Sequence, residues 1–226
     1  MDTTRSSWLI PGAIVAAGII FSVTIFVSRD AQLFNTSSGD PAAMRAVSPD
    51  EHIIGNPEAP VVIVEYADID SPAAKEYQRT LAQLVTDYGA TGKVAWVYRH
   101  FPLVNQYPNS ARHAEAAECV TSLGNKEAFW KFIDLMQAAA PDTEQFNPEN
   151  YDALVPQLGI RVDEFNACMA TGKFASVVEA DFEDALQARA IASPYSVVLV
   201  EGREPSLIRG AVPYATLKQL IDSVAP

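Results

Sequence analysis

The chain carries few side chains that make or break covalent bonds. Its two cysteines, Cys119 and Cys168, are the first candidates, because a thiolate attacks disulfides and binds soft metals. They stand forty-nine residues apart among apolar or small neighbours, unlike the Cys-x-x-Cys spacing of a local redox pair. Three readings are open: a structural disulfide in an oxidising compartment, a redox-active pair, or two free buried thiols. A bond closing a loop of that length would contribute on the order of 4 kcal/mol under the chain-entropy account.

The other reactive types are scattered. Of His52, His100 and His113, none has a ligand at metal spacing, since Ala116 and Ala117 follow His113 at the third and fourth positions. No metal site and no cofactor are therefore expected. His113-Ala-Glu115 lacks the P-C-x-x-C run that would complete a zinc set. Asp68-Ile69-Asp70 could supply a carboxylate nucleophile for phosphoryl transfer, but Ser-Pro follows it where that chemistry wants a Gly-Thr loop. These acids read as a solvated strand end. A phosphate-binding glycine loop, a dinucleotide glycine pattern and a nucleophile elbow are all absent from the sequence. Glu65 lies inside an apolar strand, where a carboxyl must be neutral or paired, and Arg99 is its candidate partner.

The elements around these residues follow from apolar periodicity. Val61 to Tyr66 is short and rich in β-branched residues, as a strand buried on both faces requires. A helix starts at Ser71 and Pro72, the first able to cap and the second suited to the first helical position. Tyr77, Leu81, Leu84, Val85 and Tyr88 carry its apolar stripe, and Gly89 ends it. Val94 to Phe101 is a second strand, which makes a parallel strand–helix–strand unit. From about residue 108 to 190 the pattern is helical, with stripes at Phe129, Phe132, Ile133 and Met136, at Val162, Phe165, Cys168 and Met169, and at Phe174, Val178, Phe182, Ala185 and Leu186. Strands return at Tyr195–Val200 and Ser206–Arg209, separated by a turn at Glu201-Gly202, and a helix over Tyr214–Val224 follows. The class is α/β, with the order βαβ, a helical block, then ββα.

Residues 1–29 contain the uncharged, mostly apolar stretch Trp8 to Val27, twenty residues that would rise about 30 Å as a helix and cross a bilayer core. The following SRDAQLF offers no small-residue cleavage site, so the stretch reads as an uncleaved single-pass anchor with the later domain outside the cytoplasm. Residues 30–50 lack any period and read as a flexible tether to a domain over 51–226. From residue 46 onward there are 13 Lys and Arg against 25 Asp and Glu, which accounts for the whole net charge of −12. A surface of that sign repels phosphate backbones and anionic headgroups, and no basic stripe offsets it; nucleic acid is excluded as a partner.

Several separate segments, in order, resemble the membrane-anchored branch of the DsbA-like thioredoxin family: SPDEHIIGNPEAPVVIVEYAD, VAWVYRHFPL, AEAAECV, FNACMATGKF and SPYSVVLV with RGAVPY after it. The resemblance implies a thioredoxin-like fold with an inserted helical domain. It places Ser71 and Ala74, within Ser71-Pro72-Ala73-Ala74, at the two redox positions where the family carries Cys-Pro-x-Cys. It also implies a cis-proline loop at Ser193-Pro194, a buried acid at Glu65 and a paired cysteine at both Cys119 and Cys168. Serine and alanine cannot carry thiol–disulfide exchange, which needs a thiolate to attack and a second thiol to resolve. The expected role is therefore binding of extracytoplasmic polypeptide clients beside Ser193-Pro194, as a chaperone-like or scaffolding component. Two alternatives stand beside it: an oxidoreductase using Cys119 and Cys168 or a partner's thiol, and a structural subunit of a membrane complex.

Overall fold

A computed structural model describes residues 43–89, 91–140 and 145–224, and the expected membrane anchor over residues 1–29 lies outside them. Among the described residues no helix is long and apolar enough to cross a membrane. The first strand, β1 (His52–Gly55), was not legible as one; β2 (Val61–Ala67), helix α1 (Pro72–Gly89) and β3 (Val94–His100) follow as expected. The helical block contains α2 (Ser110–Leu123), α3 (Lys126–Ala139), the single turn α4 (Tyr151–Leu154), α5 (Val162–Thr171) and α6 (Ala175–Gln187). Then come β4 (Tyr195–Val200), β5 (Ser206–Arg209) and α7 (Tyr214–Val224).

The sheet order is β1-β3-β2-β4-β5. Among the described residues only β2 and β3 run parallel, as their crossover through α1 demands; the remaining pairs are antiparallel. β3, β2 and β4 are the inner strands, which is why their sequences are mostly apolar. On one face Val64, Tyr66, Val97, Tyr195 and Val197 pack against Ala185, Ala188 and Ala190 at the end of α6 and just beyond it. The small alanines let the helix approach closely. On the other face α1 buries Ala74, Tyr77, Leu81 and Leu84 completely. Each large apolar side chain so buried stabilises the fold by roughly 1.5–3 kcal/mol relative to exposure.

Gly55 closes β1 with a φ of +101°, a backbone region that L side chains rarely adopt, and a Cβ there would lie 2.6 Å from the Val94 carbonyl oxygen. That position admits only glycine. The last residues of the expected tether are bound down: Arg45 N–H donates to Asp184 Oδ1 at 2.6 Å, its guanidinium meets Asp181 at 2.5 Å, and the carbonyls of Arg45 and Ala46 accept from Arg99.

Cys119 and Cys168 are joined in a disulfide, with Cα atoms 6.0 Å apart, linking α2 to α5. Replacing both with serine should lower stability by roughly 2–4 kcal/mol through the freed denatured chain. Chemical denaturation of the full-length protein, oxidised against doubly substituted, measures the difference; equal midpoints would contradict it.

Candidate functional site

The junction between β2 and α1 brings together three segments that are distant in sequence: residues 68–74, Leu103 after β3, and Ser193-Pro194 before β4. Ser71 caps α1, its Oγ accepting the Ala74 N–H at 3.3 Å, and Pro72 occupies the first helical position as its fixed φ allows. The same Oγ donates to the Ser193 carbonyl at 3.4 Å. The Ser193-Pro194 peptide bond is cis. Ser71 is 4% exposed and Ala74 fully enclosed.

Asp68 organises the cluster. Its N–H donates to Ser193 Oγ at 2.7 Å, while its carboxylate accepts the N–H groups of Asp70 at 2.9 Å and Leu103 at 2.6 Å. Burial pushes its carboxyl up to about 6, and the two backbone donors only partly offset that. Asp70 accepts from His113 Nδ1 at 2.8 Å and from the Gln145 side chain at 2.7 Å. The reading of these acids as a solvated strand end is thus corrected: both are enclosed, because backbone N–H groups, an imidazole and an amide satisfy their oxygens.

Glu65 is fully buried on the face of the sheet toward α1, and Trp96 Nε1 donates to it at 3.0 Å. Burial pushes its carboxyl up to about 8, and the indole bond offsets only part of the rise. The expected pairing with Arg99 does not occur. In the parallel register Tyr66 lies opposite Arg99 and Glu65 opposite Tyr98, so Arg99 faces away from Glu65. Arg99 instead donates to Glu51 at 2.7 Å, to Asp184 at 2.7 Å and to Tyr66 Oη at 3.1 Å, with Tyr66 in turn donating to Asp184 at 2.5 Å. Such buried charge is tolerable because every partner is present. Glu51 and Asp184, which hold this guanidinium, gave no separate signal in the sequence.

Between α1 and α3 a cavity of about 400 Å3 is bordered by Lys75, Gln78, Trp96, Trp130 and Gln137. Lys75 Nζ donates to the Gln137 carbonyl across it at 2.6 Å.

The histidines expected to share no ligand geometry are partly gathered. His52 on β1 and His100 at the end of β3 both direct Nε2 at Glu118 Oε1 on α2, at 2.7 and 3.1 Å. Burial pushes the Glu118 carboxyl up, but the hydrogen bonds from His100 and His52 outweigh it and hold the group well below the usual carboxylate range. This cluster required β1, which sequence periodicity did not reveal.

Comparison with known proteins places this architecture. The thioredoxin family model matches residues 47–223. Among curated proteins, a sodium/proton antiporter, NhaA 3 of Salinispora tropica, is 30% identical over 178 residues, covering 77% of this chain and 26% of that protein. This chain therefore spans about a quarter of the length of such antiporter relatives. A probable disulfide bond formation protein D of Bacillus cereus is 29% identical over 142 residues, 61% of this chain and 64% of that one. In fold, oxidised BdbD of Bacillus subtilis superposes with a TM-score of 0.65 at 21% identity, over 82% of this chain and 95% of that one. DsbA2 of Pseudomonas aeruginosa gives 0.64 at 23% identity, over 80% and 97%. The chain belongs to the thioredoxin family, and its fold is the DsbA-like form with a helical insertion.

Proposed function

We propose that the protein is a membrane-tethered, extracytoplasmic member of its family that binds extended polypeptide at the Ser71–Ser193 junction without exchanging thiols. The observation that carries this reading is that both cysteines of the chain are bonded to each other, away from the junction, where the family resemblance puts Ser71 and Ala74 at the redox positions. A serine hydroxyl is scarcely ionised at neutral pH and forms no exchangeable disulfide. Exposed apolar side chains stand close to the junction in sequence. Ile191, two residues before Ser193, is 81% exposed, and Val104, next to Leu103, is 47% exposed. Exposed aliphatic residues of this kind suit an extended apolar segment. The membrane anchor rests on the uncharged run Trp8 to Val27.

Replacing Ile191 and Val104 together by aspartate should weaken capture of a fluorescent, extended apolar peptide by about tenfold or more, since two desolvated aliphatic contacts are worth about 1.4 kcal/mol or more in total. Fluorescence anisotropy with the full-length protein measures it. Unchanged affinity in a folded double variant would remove this surface from the site.

A second reading follows from the relatives in which the matched region is about a quarter of a protein named as a sodium/proton antiporter. In this reading the domain is a module serving a membrane transporter, as a structural subunit. Co-purification from membranes at fixed stoichiometry would favour it, and a monomeric anchored protein that binds peptide would favour the first.

A further inference from the structure

Away from the Ser71 junction, three groups of metal-ligating type converge in the interior. The nitrogens of His52 and His100 and an oxygen of Glu118 all lie within 4.8 Å of one another. They arrive from three elements: the edge strand β1, its neighbour β3 and helix α2 of the insertion. Antiparallel register sets His52 beside Tyr98, so His100 projects from the same face two residues further along β3. Phe129 of α3 stacks on the His52 ring at a centroid distance of 3.5 Å and an interplanar angle of 5°, which fixes the ring and screens it from water.

We propose that His52, His100 and Glu118 form a three-ligand site for a first-row divalent transition ion of the zinc type. Two imidazole nitrogens and one carboxylate oxygen are the donor set such ions prefer, whereas calcium and magnesium want mostly oxygen. Tetrahedral bonds of roughly 2.0–2.1 Å set ligand atoms about 3.3 Å apart. The present separations of 2.7 and 3.1 Å from Glu118 Oε1 need widening by about 0.6 and 0.2 Å, and all three ligand atoms, now within 4.8 Å of one another, must settle at that common spacing. The fourth position would be left to water or another small donor.

The hydrogen-bonded arrangement and the metal-bound one differ by protons. In the former, each Nε2 carries the hydrogen it donates to Glu118; in the latter, Nε2 gives its lone pair to the ion and the neutral ring carries its one proton on Nδ1. Nδ1 of His52 is buried and has no hydrogen-bond partner among the described residues, so a proton placed there is unsatisfied. That cost sets the affinity below that of a structural zinc site with complete outer partners, and the affinity falls as acid protonates the imidazoles. Bound metal would pin β1 and β3 to the insertion at the residue before Cys119.

The test is titration of the full-length protein, stripped with chelator, with zinc(II) and cobalt(II). The expected result is one equivalent bound per chain, with the intense visible absorption of tetrahedral cobalt and a melting temperature that climbs with metal concentration. E118Q and H100Q should each weaken binding by about 100-fold, the upper end of what loss of an outer-shell partner alone costs. Circular dichroism and retention of the disulfide establish that these variants fold. The wild-type cobalt spectrum decides the matter without any variant, should both fail to fold. Absence of saturable binding, a pale octahedral cobalt spectrum, or binding that survives both substitutions in folded protein would overturn the proposal and leave a purely hydrogen-bonded triad.

Discussion

Cysteines introduced together as S71C and A74C should give measurable thiol–disulfide exchange, where the proposed function expects none of the wild type. Position 71 caps α1, where unpaired backbone N–H groups and the helix dipole stabilise an anion, so a thiol there should be acidified from its ordinary value near 8.5 toward the 3.5–7.5 range of reactive cysteines. Position 74 is fully enclosed one turn later, suited to the second, resolving sulfur rather than to the attacking one. Reduction of insulin in the presence of dithiothreitol measures the gain, with wild type at the uncatalysed baseline and the double variant giving a rate proportional to its concentration. The Cys119–Cys168 bond is present in both proteins and cancels in the comparison. A folded double variant that remains at baseline would mean that the junction does not support thiol–disulfide exchange even with thiols supplied.

A second large effect concerns Glu65 and pH. Its carboxyl titrates at about 8 in the folded chain against 4.5 in the unfolded one, because burial disfavours the charge. The native state therefore holds a proton that the unfolded state has already released throughout this window, and stability must fall as pH rises through it. The accumulated loss is on the order of 3–5 kcal/mol, of which about 2–3 kcal/mol falls between pH 6 and 8. Asp68, raised to about 6 from 3.8, adds a loss of the same sign below pH 6. Glu65→Gln keeps the shape and the Trp96 hydrogen bond without a titrating proton. Wild type should lose roughly 5–10 °C of melting temperature between pH 6 and 8, while the glutamine variant stays nearly flat. Parallel curves for the two proteins would show that Glu65 carries its charge in the fold.

The inner strands, the crossover helix and the helical insertion were readable because their signals are local: β-branched runs for β2 and β3, a cap and stripe for α1, and 3.6-residue stripes thereafter. β1 was not, since His52–Gly55 is four residues long and sits between acidic and Asn-Pro segments that resemble a loop. That single omission hid the His52–His100–Glu118 cluster, which exists only because β1 lies against β3. Arg99 failed for a different reason. Adjacency of strands was legible, but pairing parity was not, and one residue of register decides whether Arg99 meets Glu65 or Asp184. Asp68 and Asp70 illustrate a third limit: their enclosure depends on Leu103, His113 and Gln145, which reach them only in the folded chain.

The central claim is binding without redox turnover, and it is tested most directly by incubating the full-length wild-type protein with an extended peptide carrying two cysteines, supplied once as the dithiol and once as the disulfide. Binding followed by anisotropy and the peptide's oxidation state followed by mass spectrometry are read in the same samples, alongside a Cys119→Ala Cys168→Ala control. The account predicts saturable binding of both peptide forms, no mixed disulfide and no change in peptide oxidation beyond the protein-free rate. Catalysed oxidation or reduction of the peptide that disappears in the double-alanine control would contradict it and make the Cys119–Cys168 pair the working centre.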